Sequence, residues 1–460
     1  MKIKKQIALI LAVALLAAAG GCGNQKTEEG KINLSVGLWP DETNPESLKK
    51  QNALKDNFMA AHPNINIIPD TYAFDTKTFM MKASADQLPN IYSTWFTEIS
   101  NIIKQGYAAD ITDQIKAHGF DTSLNPDLLN LVKDENGRIY GVPTDAYAQG
   151  LYINKKLFKE AGLVNEDGGV KVPNTYQELA EYAQIIKEKT GKAGYVIPTT
   201  NNCGGWHFLN IAWSYGVEFA KQRDDGSYEA AFDTQEARDA LQFVKDLKWK
   251  YNALLDETVI DQGDMRKYFG TYQAAMMFAA PPESMLSSQY GMDKNDIFAA
   301  RIPEGPKGRY SQMGGNLKMF SKNSTPEQID AGLTWIEFTG FSPNITDEQL
   351  ANSRTSYENT IAQNGIVLDQ EAFEVWVNPE NLEKINSLRK EYTNINHEDY
   401  ADYYSFEGVT INPEPAACAQ QLYAILDKCI QEVVTNKDAD VDKLISEACN
   451  DYQVNHLDKL

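Results

Sequence analysis

The chain has 460 residues, 42% hydrophobic and 23% charged, enough to bury two or three cores of ordinary size and too apolar for general disorder. Acids number 64 against 43 bases, a formal charge of −21 that becomes −24 once Lys2, Lys4 and Lys5 are set aside with the N-terminal segment they belong to. Such a surface repels nucleic acid and anionic lipid, and no basic stripe offsets it, so nucleic-acid binding is disfavoured.

Met1 to Lys5 is a basic start, and Ile7 to Ala19 is an apolar run. That run is shorter than the about 20 residues a membrane-spanning helix needs, so residues 1–21 read as a secretory signal. Ala19-Gly20-Gly21-Cys22 resembles a lipobox, in which cleavage leaves Cys22 as a lipidated N-terminus. Residues 22–30 are small, polar and charged and read as a flexible tether. The expected location is the extracytoplasmic face of the cell membrane, with the membrane reached through the lipid anchor only.

Ile32, Leu34, Val36 and Leu38 alternate with other residues, a strand signal ended by Trp39-Pro40-Asp41. A helix is predicted from about Pro45 to His62, stopped by Pro63, followed by a short strand over Ile65–Ile68. Helical sequence over about Thr76–Asp86 and a third strand over Ile91–Trp95 complete a strand–helix alternation that favours an α/β unit with crossover helices. Further on, 139–143 and 150–154 are extended runs around a polar loop, and Lys155 to Ala161 is a helical turn closed by Gly162. Thr175 with Glu178, and Thr325 with Gln328, have the spacing of capping boxes that open helices. Asn201-Asn202-Cys203-Gly204-Gly205 reads as a mobile loop. Two long amphipathic helices end the chain, one carrying Leu422, Leu426, Cys429 and Val433, the other Leu444, Ile445, Ala448 and Tyr452. Cys418 and Cys429 share one predicted helix about 16 Å apart and cannot bridge each other. Cys429 and Cys449 have the spacing to meet across the helix pair, with buried free thiols as the favoured alternative. No Cys/His spacing suggests zinc, and no metal or cofactor is expected.

Gly141-Val142-Pro143 followed by Gly150-Leu151-Tyr152-Ile153-Asn154-Lys155-Lys156-Leu157-Phe158-Lys159-Glu160-Ala161-Gly162-Leu163 resembles a block of family 1 of the bacterial extracellular solute-binding proteins, the group with the maltose-type receptors. Pro173-Asn174-Thr175-Tyr176-Gln177-Glu178-Leu179, Tyr272-Gln273-Ala274-Ala275-Met276-Met277 and Gly314-Gly315-Asn316 are similar to later blocks in the same order. The resemblance implies a type II periplasmic-binding-protein-like fold: two α/β lobes joined by a multi-strand hinge, with solute between them. The lobes are expected at 31–146 with 301–342, and 147–300 with 343–460. It also implies a carbohydrate ligand and permease subunits of an ABC importer as partners, and a monomer is expected. Two departures from the family pattern stand out. Asn90 occupies a position that is often Asp, and Ala280-Pro281-Pro282-Glu283 replaces a Gly-x-Trp.

A sugar site needs flat aromatic faces and side chains with fixed donors and acceptors. Trp39 and Trp95 end strands, where α/β sheets build ligand sites, and Glu98 follows Trp95. The resemblance places Tyr147 facing the cleft and Trp206 where related sugar receptors carry a stacking aromatic. Asp145 and Asn316 are candidate hydroxyl partners. Trp213, Trp249, Trp335 and Trp376 are expected in core packing. A glycosidase would also use aromatics, with a pair of carboxylates, but no hydrolase or phosphate-loop motif is present. A receptor for a peptide or other non-sugar solute is the remaining alternative. Asn165-Glu166-Asp167-Gly168 and Asp224-Asp225-Gly226 lack a full calcium-loop pattern and read as polar turns.

Overall fold

Apolar alternation from Ile32 and the β-branched run from Ile65 produce two strands, Ile32–Val36 and Ile65–Pro69, paired in parallel with Ile32 opposite Ile65. The computed structural model describes residues 28–460 apart from 29, 77 and 416, so the signal-peptide reading and Cys22 lie outside the described residues. Contacts divide the chain into two compact units: the described residues up to Ser93 with Asn323–Thr339, and Thr94–Lys322 with Gly340–Leu460.

In the first unit, Val36 also pairs in parallel with Ile91, at the start of the strand Ile91–Trp95. The crossover helix Pro45–Ala61 begins at Asn44, which accepts from the Ser47 amide, and has Pro45 in its first turn, where a missing N–H costs nothing. Its Phe58 is buried against Trp335 of the helix Pro326–Phe338, edge to face at 5.1 Å. That second helix has the predicted capping box complete, with Thr325 accepting from the Gln328 amide and the Gln328 side chain accepting from the Thr325 amide. Asn90, the first departure noted above, has a packing role. Its Oδ1 accepts from the Ser35 amide at 2.9 Å, and its Nδ2 donates to Ser324 at 3.1 Å, a bond an aspartate could not supply.

In the second unit the long strand Arg309–Phe320 pairs antiparallel with Gly141–Ala148 and parallel with Val409–Pro413. A separate sheet has Gly150–Asn154 at its centre, antiparallel to Met276–Ala279 and to Ile297–Ala300. The chain crosses from one sheet to the other at Gln149. Its amide donates to Gln312 O at 3.1 Å, its carbonyl accepts from Ser311 Oγ at 2.7 Å, and its side-chain oxygen accepts from Asn210 Nδ2 at 2.7 Å. The next residue has no room for a side chain, because a Cβ on Gly150 would lie 2.5 Å from the Tyr403 ring and 2.7 Å from Ala300 O. All five residues of the following strand are buried, as its unbroken apolar run requires.

Helices pack on that central sheet. Thr175 caps the helix Tyr176–Thr190 by accepting from the Glu178 amide, but the Glu178 carboxylate accepts from the Asn174 amide instead of completing a box. The terminal helices run Ala419–Thr435 and Val441–Asn455, and Cys429 and Cys449 are free thiols buried between apolar neighbours. Of the other tryptophans, Trp335 and Trp376 are buried, and Trp249 donates to Val433 O at 2.8 Å.

The tight crossing leads to a direct expectation. Gly150→Val should destabilise the protein by about 3 kcal/mol in urea unfolding, the upper range for overpacking. A loss under about 0.5 kcal/mol would mean that Tyr403 swings aside at no cost.

Candidate ligand-binding site

The predicted mobile loop is in fact the start of a helix, Cys203–Tyr215. Two glycines make this possible. A Cβ on Gly205 would come within 2.4 Å of Tyr423 O, and one on Gly204 within 2.7 Å of an Asp427 carboxylate oxygen, so this helix packs backbone to backbone on Ala419–Thr435. Asn201 and Asn202 turn into it with positive φ of 59° and 66°, which asparagine tolerates better than most residues. Asp427 accepts from the Asn202 amide and the Gly205 amide, both at 2.7 Å, satisfying donors that a helix start leaves open. Burial pushes the Asp427 carboxyl up to about 6, against the pull of those amides.

This packing holds Trp206 at a cavity of about 650 Å³ within the second unit. The Trp206 indole N–H donates to Glu414 Oε1 at 2.5 Å, which fixes the plane of the ring. Its other neighbour is Tyr147, edge to face with centroids 6.5 Å apart. Tyr147 in turn lies over Gly314, its register partner, where a Cβ would stand 2.7 Å from the phenol. Trp95, 41% exposed, gives a third aromatic surface, and Tyr423 a fourth.

The polar lining is unevenly charged. Arg266, from the helix Gln262–Gly270, donates through Nε and Nη2 to the two oxygens of Glu283, each at 2.9 Å. Glu283 is buried and belongs to the Ala280–Glu283 segment that replaces the family aromatic. Glu414 accepts on Oε1 from Gln312 Nε2 at 3.2 Å and from the Tyr423 hydroxyl at 3.4 Å, besides Trp206. Burial is the main reason its carboxyl rises to about 8; the indole N–H opposes this, and repulsion from Glu98 adds to it. Glu98 is itself raised to about 7 by burial. His207, next to Trp206 with centroids 4.9 Å apart, is buried and driven down to about 3, so it is neutral.

The structure thus brings Trp95, Tyr147 and Trp206 together at one cavity, with Glu98 close enough to act on Glu414. Asp145 and Asn316 meet each other instead. They are register partners, and Asn316 Nδ2 donates to Asp145 at 3.0 Å, outside the cavity lining. Trp39 lies in the core of the first unit, 4% exposed, stacked on Trp335 at 6.0 Å with its N–H donated to Asn52. Leu38 explains the difference. Its positive φ of 58° breaks the alternation, leaving Leu38 exposed and Trp39 buried. Arg266, Glu283, Glu414 and Tyr423 carried no local sequence signal. Among the described residues no group of His, Cys, Asp and Glu is arranged to hold a metal ion.

Residues 39–340 match the model of the bacterial extracellular solute-binding proteins, and the chain belongs to that family. A Brucella abortus (strain 2308) protein named as a binding protein is 25% identical over 348 residues, 71% of this chain and 75% of its own. The sn-glycerol-3-phosphate-binding periplasmic protein UgpB of Escherichia coli (strain K12) is 27% identical over 218 residues, 45% of this chain and 46% of its own. Among solved structures, the GacH receptor of Streptomyces glaucescens GLA.O aligns with a TM-score of 0.66 at 17% identity, over 92% of this chain and 98% of that one. Maltose-bound T. maritima MalE3 aligns with a TM-score of 0.64 at 21% identity, over 92% and 99%. The fold is therefore that of the type II periplasmic binding proteins, as the sequence blocks implied.

Asp427→Ala would leave two helix-start amides without their acceptor. We expect a loss of about 2 kcal/mol or more in urea unfolding, from the desolvation cost of those groups. A loss near zero would show that water replaces the carboxylate freely.

Proposed function

We propose that this protein is the extracytoplasmic receptor of an ABC importer for a sugar or oligosaccharide. The observation that carries this is the Trp206–Glu414 bond beside Tyr147: an indole locked in plane at the wall of a cavity whose volume of about 650 Å³ suits a small solute. Flat rings take the C–H faces of a sugar, and Glu414, Gln420 and Tyr423 take its hydroxyls. Relatives point the same way in name, with maltose bound to MalE3 and acarbose to GacH.

UgpB is named for a phosphorylated solute, which makes a phosphate receptor the second reading. The lining argues against it. Among the described residues Arg266 is the cation lining the cavity, and its Nε and Nη2 are engaged by buried Glu283. A phosphate would meet Glu414 and a neutralised guanidinium.

On the lobe boundaries 31–146 with 301–342 and 147–300 with 343–460, Trp95 and Gly315 fall in one lobe and Trp206, Arg266 and Glu414 in the other. Solute would then be gripped in the cleft by lobe closure, and the closed form presented to the permease subunits. The same reading includes a signal peptide over 1–21, lipidation of Cys22, a tether over 22–30, and a monomer. It includes no turnover: among the described residues, the other carboxylate lining the cavity, Glu283, is held in an ion pair with Arg266.

Thermal-shift measurements against mono- and oligosaccharides test the reading. A cognate sugar at 100 times its Kd should add about 2.7 kcal/mol of stability. Shifts with peptides or glycerophosphocholine alone would end the carbohydrate claim, and released reducing sugar would make the protein a glycosidase. Trp206→Ala should weaken binding by about 1 kcal/mol or more with the fold intact, as the loss of a stacking face does. Unchanged affinity would remove Trp206 from the site.

A further inference from the structure

The cavity has more acid than the capture of a neutral sugar requires. Glu414 has no cationic partner among the described residues; its Oε1 takes only the neutral donors of Trp206, Gln312 and Tyr423. Glu98, on the turn Phe96–Glu98, is a second half-buried carboxyl without an ion pair among the described residues. Arg266 cannot balance them, being held by Glu283 at 2.9 Å through two bonds. A buried carboxylate with no counter-charge is costly, and the usual remedies are a bound cation or a bound proton. Aromatic faces stand beside this one: Trp206 on its hydrogen bond, Tyr147 at 6.5 Å from Trp206, and exposed Trp95 across the same cavity. Rings around an acid form the setting in which an ammonium group is held by cation–π attraction and charge together.

We propose that the solute carries a cationic amino group, as an amino-sugar oligomer does, and that this group docks against Glu414 beside the Trp206 and Tyr147 rings. The inference rests on the carbohydrate reading above and narrows it. Empty, the site holds its acids with protons: burial and Glu98 put Glu414 at about 8, and burial puts Glu98 at about 7. A bound ammonium favours the carboxylate and lowers the carboxyl in the complex. Between the lowered and the free value, binding therefore releases a proton, and affinity rises with pH until about 8, where Glu414 of the free protein is already ionised. Of the other groups around the site, Asp427, beneath Gly204 and Gly205, also titrates in this range, at about 6, and the Glu414→Gln variant separates its contribution; the rest do not. Tyr147 and Tyr423 are raised far out of range, His207 is down at about 3, the Cys203 and Cys418 thiols are up at about 11, and Arg266 remains charged.

Calorimetric titration of the whole mature protein with glucosamine oligomers, and with their N-acetylated counterparts of equal length, tests this between pH 5 and 6, where the amine of a glucosamine unit, weakened by its neighbouring oxygens, is still charged. The free-amine series should bind about tenfold tighter or more. Its affinity should rise toward about tenfold per pH unit, with proton release seen as a heat that depends on the buffer. Glu414→Gln keeps an acceptor for the indole and should lose both the preference and the slope; should that variant not fold, the pH profile and buffer dependence of the natural protein decide alone. Equal or tighter binding of the N-acetylated series, or a flat pH profile, overturns the proposal and leaves the carbohydrate reading standing. Failure of both series overturns the proposal, and binding of sn-glycerol-3-phosphate, which has no cationic group, in their place removes the carbohydrate reading as well.

Discussion

The backbone contact of helix Cys203–Tyr215 on helix Ala419–Thr435 is the constraint from which the site follows. With Gly205 against Tyr423 O and Gly204 against Asp427, the two helices stand closer than side chains would permit. Close approach puts the amides of Asn202 and Gly205 within reach of one carboxylate, and the same carboxylate anchors a turn with two positive-φ asparagines. Trp206 is the next residue along, so its position is set by main-chain geometry and not by a flexible side-chain stem. Glu414 then needs only to fix a rotation of the ring, which one hydrogen bond accomplishes. If this surface is where solute docks, as proposed, it is pre-organised, and little conformational entropy is lost on binding.

What the sequence made legible was whatever short-range chemistry decides. Strand alternation from Ile32, the stop at Pro63 and the box at Thr325–Gln328 all depend on neighbours a few residues apart, and all three appear in the fold. The glycines at 204 and 205 show the limit. In isolation they favour a loop, since glycine is costly inside a helix; tertiary packing reverses that preference because only glycine fits. Trp39 shows it from the other side. The strand stops at Val36, two residues short of the alternation that runs to Leu38, and the residue that faces solvent there is decided by the backbone turn at Leu38. Similarly, Asp145 and Asn316 have the right chemistry for hydroxyls, yet register places them opposite each other and they satisfy one another. Glu414 and Trp206 are 208 residues apart, and no periodicity links them.

The family resemblance located Tyr147 and Trp206 where composition alone could not, because it carried information about chain topology. It was less informative about charge. The segment Ala280–Glu283 lacks the expected aromatic, and its Glu283 is a buried carboxylate paired with the half-buried Arg266. An ion pair in a binding wall is a poor substitute for an indole if stacking is the aim. It does, however, keep one carboxylate and one guanidinium from acting as free charges. The electrostatic character of the cavity then falls to Glu414, with Glu98 behind it.

That arrangement makes Glu414 serve two ends that pull its proton in opposite directions. As the acceptor that orients Trp206, it works best as a carboxylate, since a charged oxygen holds an N–H more strongly. As a group enclosed among Tyr423, Gln312 and the indole, it is driven toward the neutral acid. A solute that brings positive charge resolves the conflict, because it stabilises the carboxylate and thereby tightens the bond that holds the stacking ring in place. Ring orientation and charge recognition are then coupled through one oxygen. The coupling works with no movement of the two helices, because the glycine contact beneath has already set their separation.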